Sequence, residues 1–268
     1  MSVQSLYTAA TGMESLQTKL NVIANNLANV NTTGFKSDRA NFEDLFYRNE
    51  VFPGAQDASS NFTPVGIHIG LGARVQSTQM NFMQGAFQET GQPLDVAIEG
   101  KGFIQVLDPS TNLPLYTRAG NLSLNASGQL VIGSAQTGRI VQPPITIPQD
   151  ATGISISSDG RVSYQQPGNP QLQQAGQLTM TMFQNPEGLL KLGENLYVDT
   201  AASGSPVQGN PGTQGMGSLR QGFLELSNVE PVRELIDLIT TQRSFEMNSQ
   251  VIEAGNTILQ TITNLARR

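Results

Sequence analysis

The chain has 268 residues with 15 basic and 21 acidic side chains, a net charge of −6, one histidine and no cysteine. That excludes disulfides and thiolate metal sites and gives no electrostatic ground for nucleic-acid binding. Charged residues make up 13%, about half the usual share near 25%, so the surface must be polar through Gln, Asn, Ser and Thr.

The first 30 residues predict a helix over 2–30. Leu6, Met13, Leu20 and Leu27 recur at seven, and Ala9, Leu16, Ile23 and Val30 follow each by three, an a/d heptad pattern. The segment opens without a basic n-region or an apolar h-region and does not read as a cleavable secretory signal. Asn25, Asn26 and Asn29 fall on the faces away from the Leu6/Leu16/Ile23 seam. Amides there either meet water or pair with other protein, where neutral groups avoid the cost of desolvating a charge. The helix is expected to end across Val30–Gly34, with Asn31 and Gly34 both able to adopt positive φ.

Residues 37–227 are rich in strand signals. Hairpins are expected at Leu94–Leu107 around Glu99-Gly100-Lys101-Gly102, at Gly120–Ile132, at Ile154–Gln166 around Asp159-Gly160, and at Leu178–Val198 around Asn185–Gly188. Short strands without an intervening helical period indicate antiparallel sandwich or barrel-like structure. Glu50–Gly66 and Thr200–Ser218 are looser and read as flexible linkers or as extended arms ordered by neighbours. In the first, Val51, Phe52 and Phe62 are the larger apolar side chains and the candidate anchors of a contact.

A second long helix is expected over 228–268. Ser227 and Glu230 stand in capping-box spacing, and Pro231 suits a first turn. Leu238, Phe245, Ile252 and Leu259 recur at seven; Leu235, Ile239, Ile258, Ile262 and Leu265 are read as widening the same stripe; Gln242, Asn248, Ser249 and Asn256 interrupt it. The fold class expected is α+β: long terminal helices in a coiled-coil-like antiparallel pair, with an inserted, mainly antiparallel β region of two β-rich subdomains. The expected parts are 1–36 with 228–268, 37–92 with 200–227, and 93–199. One helix pair leaves wide amide-rich faces uncovered, which suits packing between copies in a helical array.

No catalytic constellation is visible. His68 lies in an alternating stretch without a Ser or carboxylate pattern pointing to it. Gly100-Lys101-Gly102 has no helix after it to cradle a phosphate. Asp95 and Glu99, four apart in one strand, have Lys101 beside them and read as surface charge balance. No cluster has metal spacing, so neither a metal nor another cofactor is expected. No stretch approaches the roughly 18 apolar residues of a membrane span.

"NVIANNLANVNTTGFK" (21–36), "SDRANFEDLFYRNEVFPGAQ" (37–56), "PLDVAIEGKGFIQV" (93–106), "YTRAGNLSLNASGQLV" (116–131), "GENLY" (193–197) and "QGFLELSNVEPVRELIDLITTQRSFEMNSQVI" (221–252) together cover nearly the whole chain. They resemble the bacterial flagellar rod and hook proteins. Length, the segment ahead of "IHIGLGARV", and "QRSFEMNSQ" are most similar to distal-rod members. A proximal rod member is the nearest competitor, and the hook members carry an extra outer domain.

The resemblance implies a structural subunit of a hollow shaft that crosses the periplasm, carries torque from motor to hook, and is exported without a cleavable signal. The terminal helices would form an inner tube and the β parts outer layers. The implied partners are copies of itself, proximal rod and hook subunits, the bushing of outer-membrane and peptidoglycan rings, the rod cap and the export apparatus. The implied contact residues are Leu6, Met13, Leu16, Leu20, Ile23, Asn25, Asn26, Leu27 and Asn29, then Val51, Phe52 and Phe62, and Leu238, Phe245, Asn248, Ile252, Leu259 and Ile262, with Gly34 turning the chain. A secreted β-structured adhesin also suits low charge and no cysteine, but has little need of two long heptad helices.

Overall fold

The structure, a computed structural model, describes residues 3–54, 65–109, 111–133 and 138–266. Its contacts divide the chain into two units: 1–28 with 38–80 and 230–268, and 29–37 with 81–229. The two-way division differs from the three parts expected from sequence, because the ribbon within 38–80 associates with the terminal helices.

In the first unit, α1 (Val3–Ala28) and α2 (Pro231–Ala266) are the long helices. α2 starts at Pro231, whose missing N–H costs nothing in a first turn. Ser227 instead accepts from the Val229 amide just ahead of the helix. Leu6 lies by Gly255, Gly12 by Asn248 and Asn26 by Glu234, so the helices run antiparallel. Close approach needs the two glycines. A Cβ on Gly255 would come 2.3 Å from Leu6 Cδ2, and one on Gly12 would come 3.3 Å from Asn248 Nδ2.

The remaining chain of this unit forms a two-stranded antiparallel ribbon. β1 (Asp38–Asp44) will pair with β4 (Ala73–Met80), and β2 (Tyr47–Val51) with β3 (Ile67–Gly70). Leu45 N donates to Gly72 O and Leu71 N to Phe46 O, joining the two pairs into one ribbon. It lies against α1. Ser15 Oγ donates to Ala73 O at 3.2 Å, and a Cβ on Gly72 would sit 2.1 Å from Thr11 Oγ1. α1 is thus lined by α2 on one side and the ribbon on another.

The second unit is β-structure. In chain order it has β5 (Phe87–Glu89), β6 (Val96–Glu99), β7 (Phe103–Leu107), β8 (Pro114–Thr117), β9 (Leu122–Leu124), β10 (Leu130–Ile132), β11 (Arg139–Val141), β12 (Gly153–Ile156), β13 (Arg161–Gln166) and β14 (Asn169–Gln177). β15 (Met180–Met182), β16 (Leu190–Gly193), β17 (Leu196–Val198), β18 (Val207–Gly209), β19 (Ser218–Gln221) and β20 (Phe223–Glu225) complete it. All the pairings are antiparallel. A nine-stranded sheet runs β16-β17-β8-β7-β11-β10-β9, with β15 on β7 and β18 on β15. β12-β13-β14 form a separate sheet, and β6–β19 and β5–β20 are pairs. Val96, Ile98, Ile104, Val106, Leu130 and Met180 are among the fully buried side chains of one core.

The hairpins at β9–β10 and β12–β13 are as expected. Two others are not hairpins. β6 pairs with β19 while β7 pairs with β8, β11 and β15, so the glycine-rich stretch between them is a corner that moves the chain from one sheet to another. Gly100 and Gly102 take φ of 109° and 138° there, values that a side chain rarely adopts. Likewise β15 pairs with β7 and β18, and the real hairpin in 178–198 is β16–β17. Alternating apolar runs marked the strands, but nothing local marked the change of partner.

Phe103 stands at the centre of an aromatic group, edge-on to Phe82 at 5.5 Å and to Phe183 at 5.7 Å, with Tyr197 at 5.8 Å. Tyr116 meets Phe183 at 4.8 Å. Burial, and then the charge of Asp199, push the Tyr116 phenol up to about 12, because an ionised oxygen would lose its water without gaining a cation. In an ultraviolet pH titration of the folded chain, one tyrosine should ionise later than the others, at about pH 12. Tyr116→Phe should remove that step alone.

Candidate assembly surfaces

α2 has two apolar faces on opposite sides. One, with Leu238, Phe245, Asn248, Ile252 and Leu259 part-buried and Thr241 and Gly255 buried, includes the contacts with α1. The other carries Val232, Ile236, Ile239, Met247, Val251, Ile258 and Leu265, all exposed; Val232 is 72% and Ile236 56% open. Ile262, seven residues past Gly255, is on the α1-facing side and is 53% exposed because α2 runs past the start of α1 there. Leu235, Ile239, Ile258 and Leu265 therefore do not widen the α1-facing stripe as expected, whereas Ile262 does lie on it. The other four form or flank a second stripe, since 100° per residue carries the helix round to its far side. α2, at 36 residues, is ten longer than α1's 26, an overhang of about 15 Å. Its last turns carry Ile258, Ile262 and Leu265.

On α1, Leu6, Met13, Leu16, Leu20 and Leu27 are half-buried and Ile23 buried. The exposed face is Tyr7, Ala10, Glu14, Gln17, Asn21, Ala24, Asn25 and Ala28: small side chains and amides with a single charge. Asn25 sits on this face, as expected. Asn26 does not. It is 2% exposed, and its Nδ2 donates to Asp38 O at 2.8 Å and to Glu234 Oε1 at 3.2 Å while Oδ1 accepts from Asp38 N at 3.0 Å. Its amide pairs with the ribbon's own backbone at the place where β1 begins, because the ribbon covers that side of α1. Asn29, half-buried in the other unit, accepts from Thr32 through both its backbone and its side-chain oxygen.

The far end of the ribbon is apolar and open. Phe46 is 89% exposed and Phe52 64%, with Tyr47, Val65 and Ile67 also exposed and Val51 half-buried. Phe62 lies outside the described residues. His68 Nδ1 is 2.5 Å from Asn49 Oδ1 across the β2–β3 pair, a cross-strand contact and not a catalytic one. Asp95 accepts from Thr90 Oγ1 at 2.6 Å.

The second unit contains a feature that the sequence reading missed. Lys36 Nζ donates to Glu225 Oε1 at 2.6 Å, and Arg118 Nε to Glu225 Oε2 at 3.1 Å, all three side chains buried. Arg118 also donates to Gly102 O at 3.1 Å and Gly100 O at 2.9 Å, and Lys36 to Met83 O at 2.7 Å. Two cations thus share one carboxylate in a dry site. A signal existed: Lys36 and Glu225 each interrupt an apolar run, "GFK" and "FLEL". Gly34 takes φ 70°, and a Cβ there would meet Ala119 N at 2.9 Å. Asn31, the other residue expected at positive φ, does not take it.

Three family models match. Residues 6–36 match the flagella basal body rod protein model, 97–164 the flagellar hook protein FlgE/F/G D1 domain, and 220–265 the flagellar basal body rod FlgEFG protein C-terminal model. The flagellar basal-body rod protein FlgG of Caulobacter vibrioides is 45% identical over 98% of this chain and 99% of its own length. The chain belongs to the FlgG family of flagellar basal-body rod proteins. FlgG of Buchnera aphidicola subsp. Acyrthosiphon pisum is 43% identical over 98% of the chain and 100% of its own length. The flagellar hook-basal body complex protein FlhP of Bacillus subtilis is 32% identical over 98% and 99%. The family's role is structural, a subunit of the flagellar rod, and nothing in it points to catalysis. Lys36, Arg118 and Glu225 fall one in each of the three matched regions. No helix among the described residues is long and apolar enough to cross a membrane.

Removing the shared carboxylate leaves two buried cations facing each other, so Glu225→Gln should cost about 3–5 kcal/mol in denaturant unfolding. Lys36→Met leaves the one-to-one Arg118–Glu225 pair and should cost less. Burial, and then the charge of Arg118, lower the Lys36 pKa from 10.5 against the pull of Glu225. The penalty for holding that proton is full below the folded-state value and is relieved as pH rises through it toward 10.5. The stability of the native chain relative to Lys36→Met should therefore rise across that alkaline window and be flat below it.

Proposed function

We propose that the chain polymerises helically into the distal rod, a hollow drive shaft crossing the periplasm that transmits torque to the hook and leaves a lumen for export. The observation that carries this is the second apolar face of α2. A monomer rarely leaves so long an apolar surface open unless another molecule covers it. In this reading the cover is the α1 and α2 of neighbouring copies. The exposed amides of α1, Gln17, Asn21 and Asn25 among them, give neutral donors and acceptors for the same contacts. The terminal helices then build a coiled-coil-like inner tube, and the β structure the outer layers.

Magnitudes favour an array over a dimer. Burying one Leu or Ile side chain is worth roughly 1.5–3 kcal/mol. Four side chains from this face supply roughly 6–12 kcal/mol. Association costs about 4–15 kcal/mol in lost freedom and ordering. A single contact is near break-even, whereas a copy held by several neighbours is stable. Proximal rod and hook subunits at the two ends, surrounding rings, a rod cap and the export machinery are the further partners of this reading. Chain export without a cleavable signal is consistent with it.

The ribbon's open end has a role of its own in this reading. Phe46, Phe52 and Ile67 lie along an adjacent copy and resist bending, so that the shaft is stiff.

Ile236→Asp and Ile258→Asp, both on the open face, should leave the monomer's denaturation midpoint within about 0.5 kcal/mol of the native chain while abolishing assembly and motility. Motile cells carrying either would contradict the proposal. Replacing Phe46, Phe52 and Ile67 together by Ser should give rods that form but curve; rods as straight as before would rule out the stiffening role.

A further inference from the structure

The β unit is made of two separate pieces of chain, and the smaller, 29–37, contains no strand. Within it, Thr32 N donates to Asn29 O and Phe35 N to Thr32 O, both turn contacts. The groups that seat it come from later in the sequence. Gly34 N donates to Glu225 O at 2.8 Å, and Asn195 Nδ2 to Thr33 O at 3.0 Å. Lys191 donates to Lys36 O at 3.0 Å and stands 5.0 Å over the Phe35 ring. Ser37 N donates to Asn228 Oδ1, and Asn81 N to Ser37 O, both at 2.8 Å.

These bonds form one network. Asn228 Nδ2 donates to Asn81 O and Met83 O, Lys36 Nζ donates to the same Met83 O, and Gly85 N donates to the Glu225 carboxylate that Lys36 holds. Three chain segments, 33–37, 81–85 and 225–228, therefore share their hydrogen-bond partners. The apolar core includes none of these residues, while Phe82 packs on Phe103 and Tyr197 of the nine-stranded sheet and Lys191 of β16 donates to Lys36 O.

We propose that segment 29–37 is a latch. The β sheets of this unit form without it, and it then docks as one piece on a seat made by Glu225, Arg118 and Asn228. Losing any one member leaves a buried polar group without its partner, at a cost of about 1–3 kcal/mol, so the three segments release together. The latch gives the unit a partly open state, with 29–37 free as a tether and the sheet intact, lying below global unfolding.

Native-state hydrogen exchange on the full-length chain tests this. The amides of Gly34, Ser37, Asn81 and Gly85 should exchange through one shared opening, more easily than the β7 amides Ile104–Leu107. Lys36→Met should speed all four by a common factor, about tenfold for each 1.4 kcal/mol lost, and the milder Asn228→Ala, which removes the Ser37 acceptor directly, should do so for Gly34, Asn81 and Gly85, the set still exchanging ahead of β7. Unequal factors among the amides compared, or exchange of the four only together with β7, would overturn the latch. So would failure of Lys36→Met to form the sheet.

Discussion

A helix with apolar side chains on opposite faces cannot satisfy both against a single neighbour. α2 meets α1 through Glu234, Asn248 and Gly255 and leaves Val232, Ile236, Met247 and Ile258 open on another side. Membership of a rod-protein family supplies the setting in which that second face is covered. Much of the rest serves the first contact. Gly12 and Gly255 let the backbones close, and the ribbon covers the side of α1 that α2 does not reach. The near-absence of charge on α1 keeps its outer face compatible with a dry contact, since each buried charge would need a partner.

The β unit solves a different problem. Its core is apolar and ordinary, but it must also hold a short segment that has no strand to place it. It does so with charge: Lys36 reaches a carboxylate 189 positions along the chain, with Arg118 bracing the other oxygen. A buried ionic cluster adds little net stability compared with apolar packing, but it accepts only one arrangement of its members. That selectivity fits a segment whose location must be unique.

The two helices, their antiparallel order and the β character between them were legible because heptads and alternation are periodic signals that survive in one sequence. The same period fell on Ile23, which is buried, and on Phe245 and Ile252, which are half-buried. The second face of α2 was misread as a broader first face: Ile239 and Ile258 belong to a helix whose apolar residues occur nearly all round, and periodicity alone does not say which side meets α1. Asn26 was misread because its partner, the backbone of Asp38, is placed by the ribbon, and nothing near Asn26 announces it. The alternation predicts a β6–β7 hairpin, since a glycine-rich stretch looks the same in sequence whether it turns a hairpin or a corner. The Lys36–Arg118–Glu225 cluster joins three distant stretches, and its only local trace is a charge inside an apolar run.

The absence of cysteine makes the central claim directly measurable. A single cysteine in place of Ile239 or Met247, on the open face, reports its exposure through its rate of reaction with a maleimide, free of background from native thiols. A cysteine replacing Leu172, 66% exposed on the β sheet of 153–177, serves as the reference. If α2's second face is covered by neighbouring copies, the helix probes should react as fast as the reference in the purified monomer and be strongly protected in assembled rods. Equal reactivity of the helix probes in monomer and rod would contradict the account.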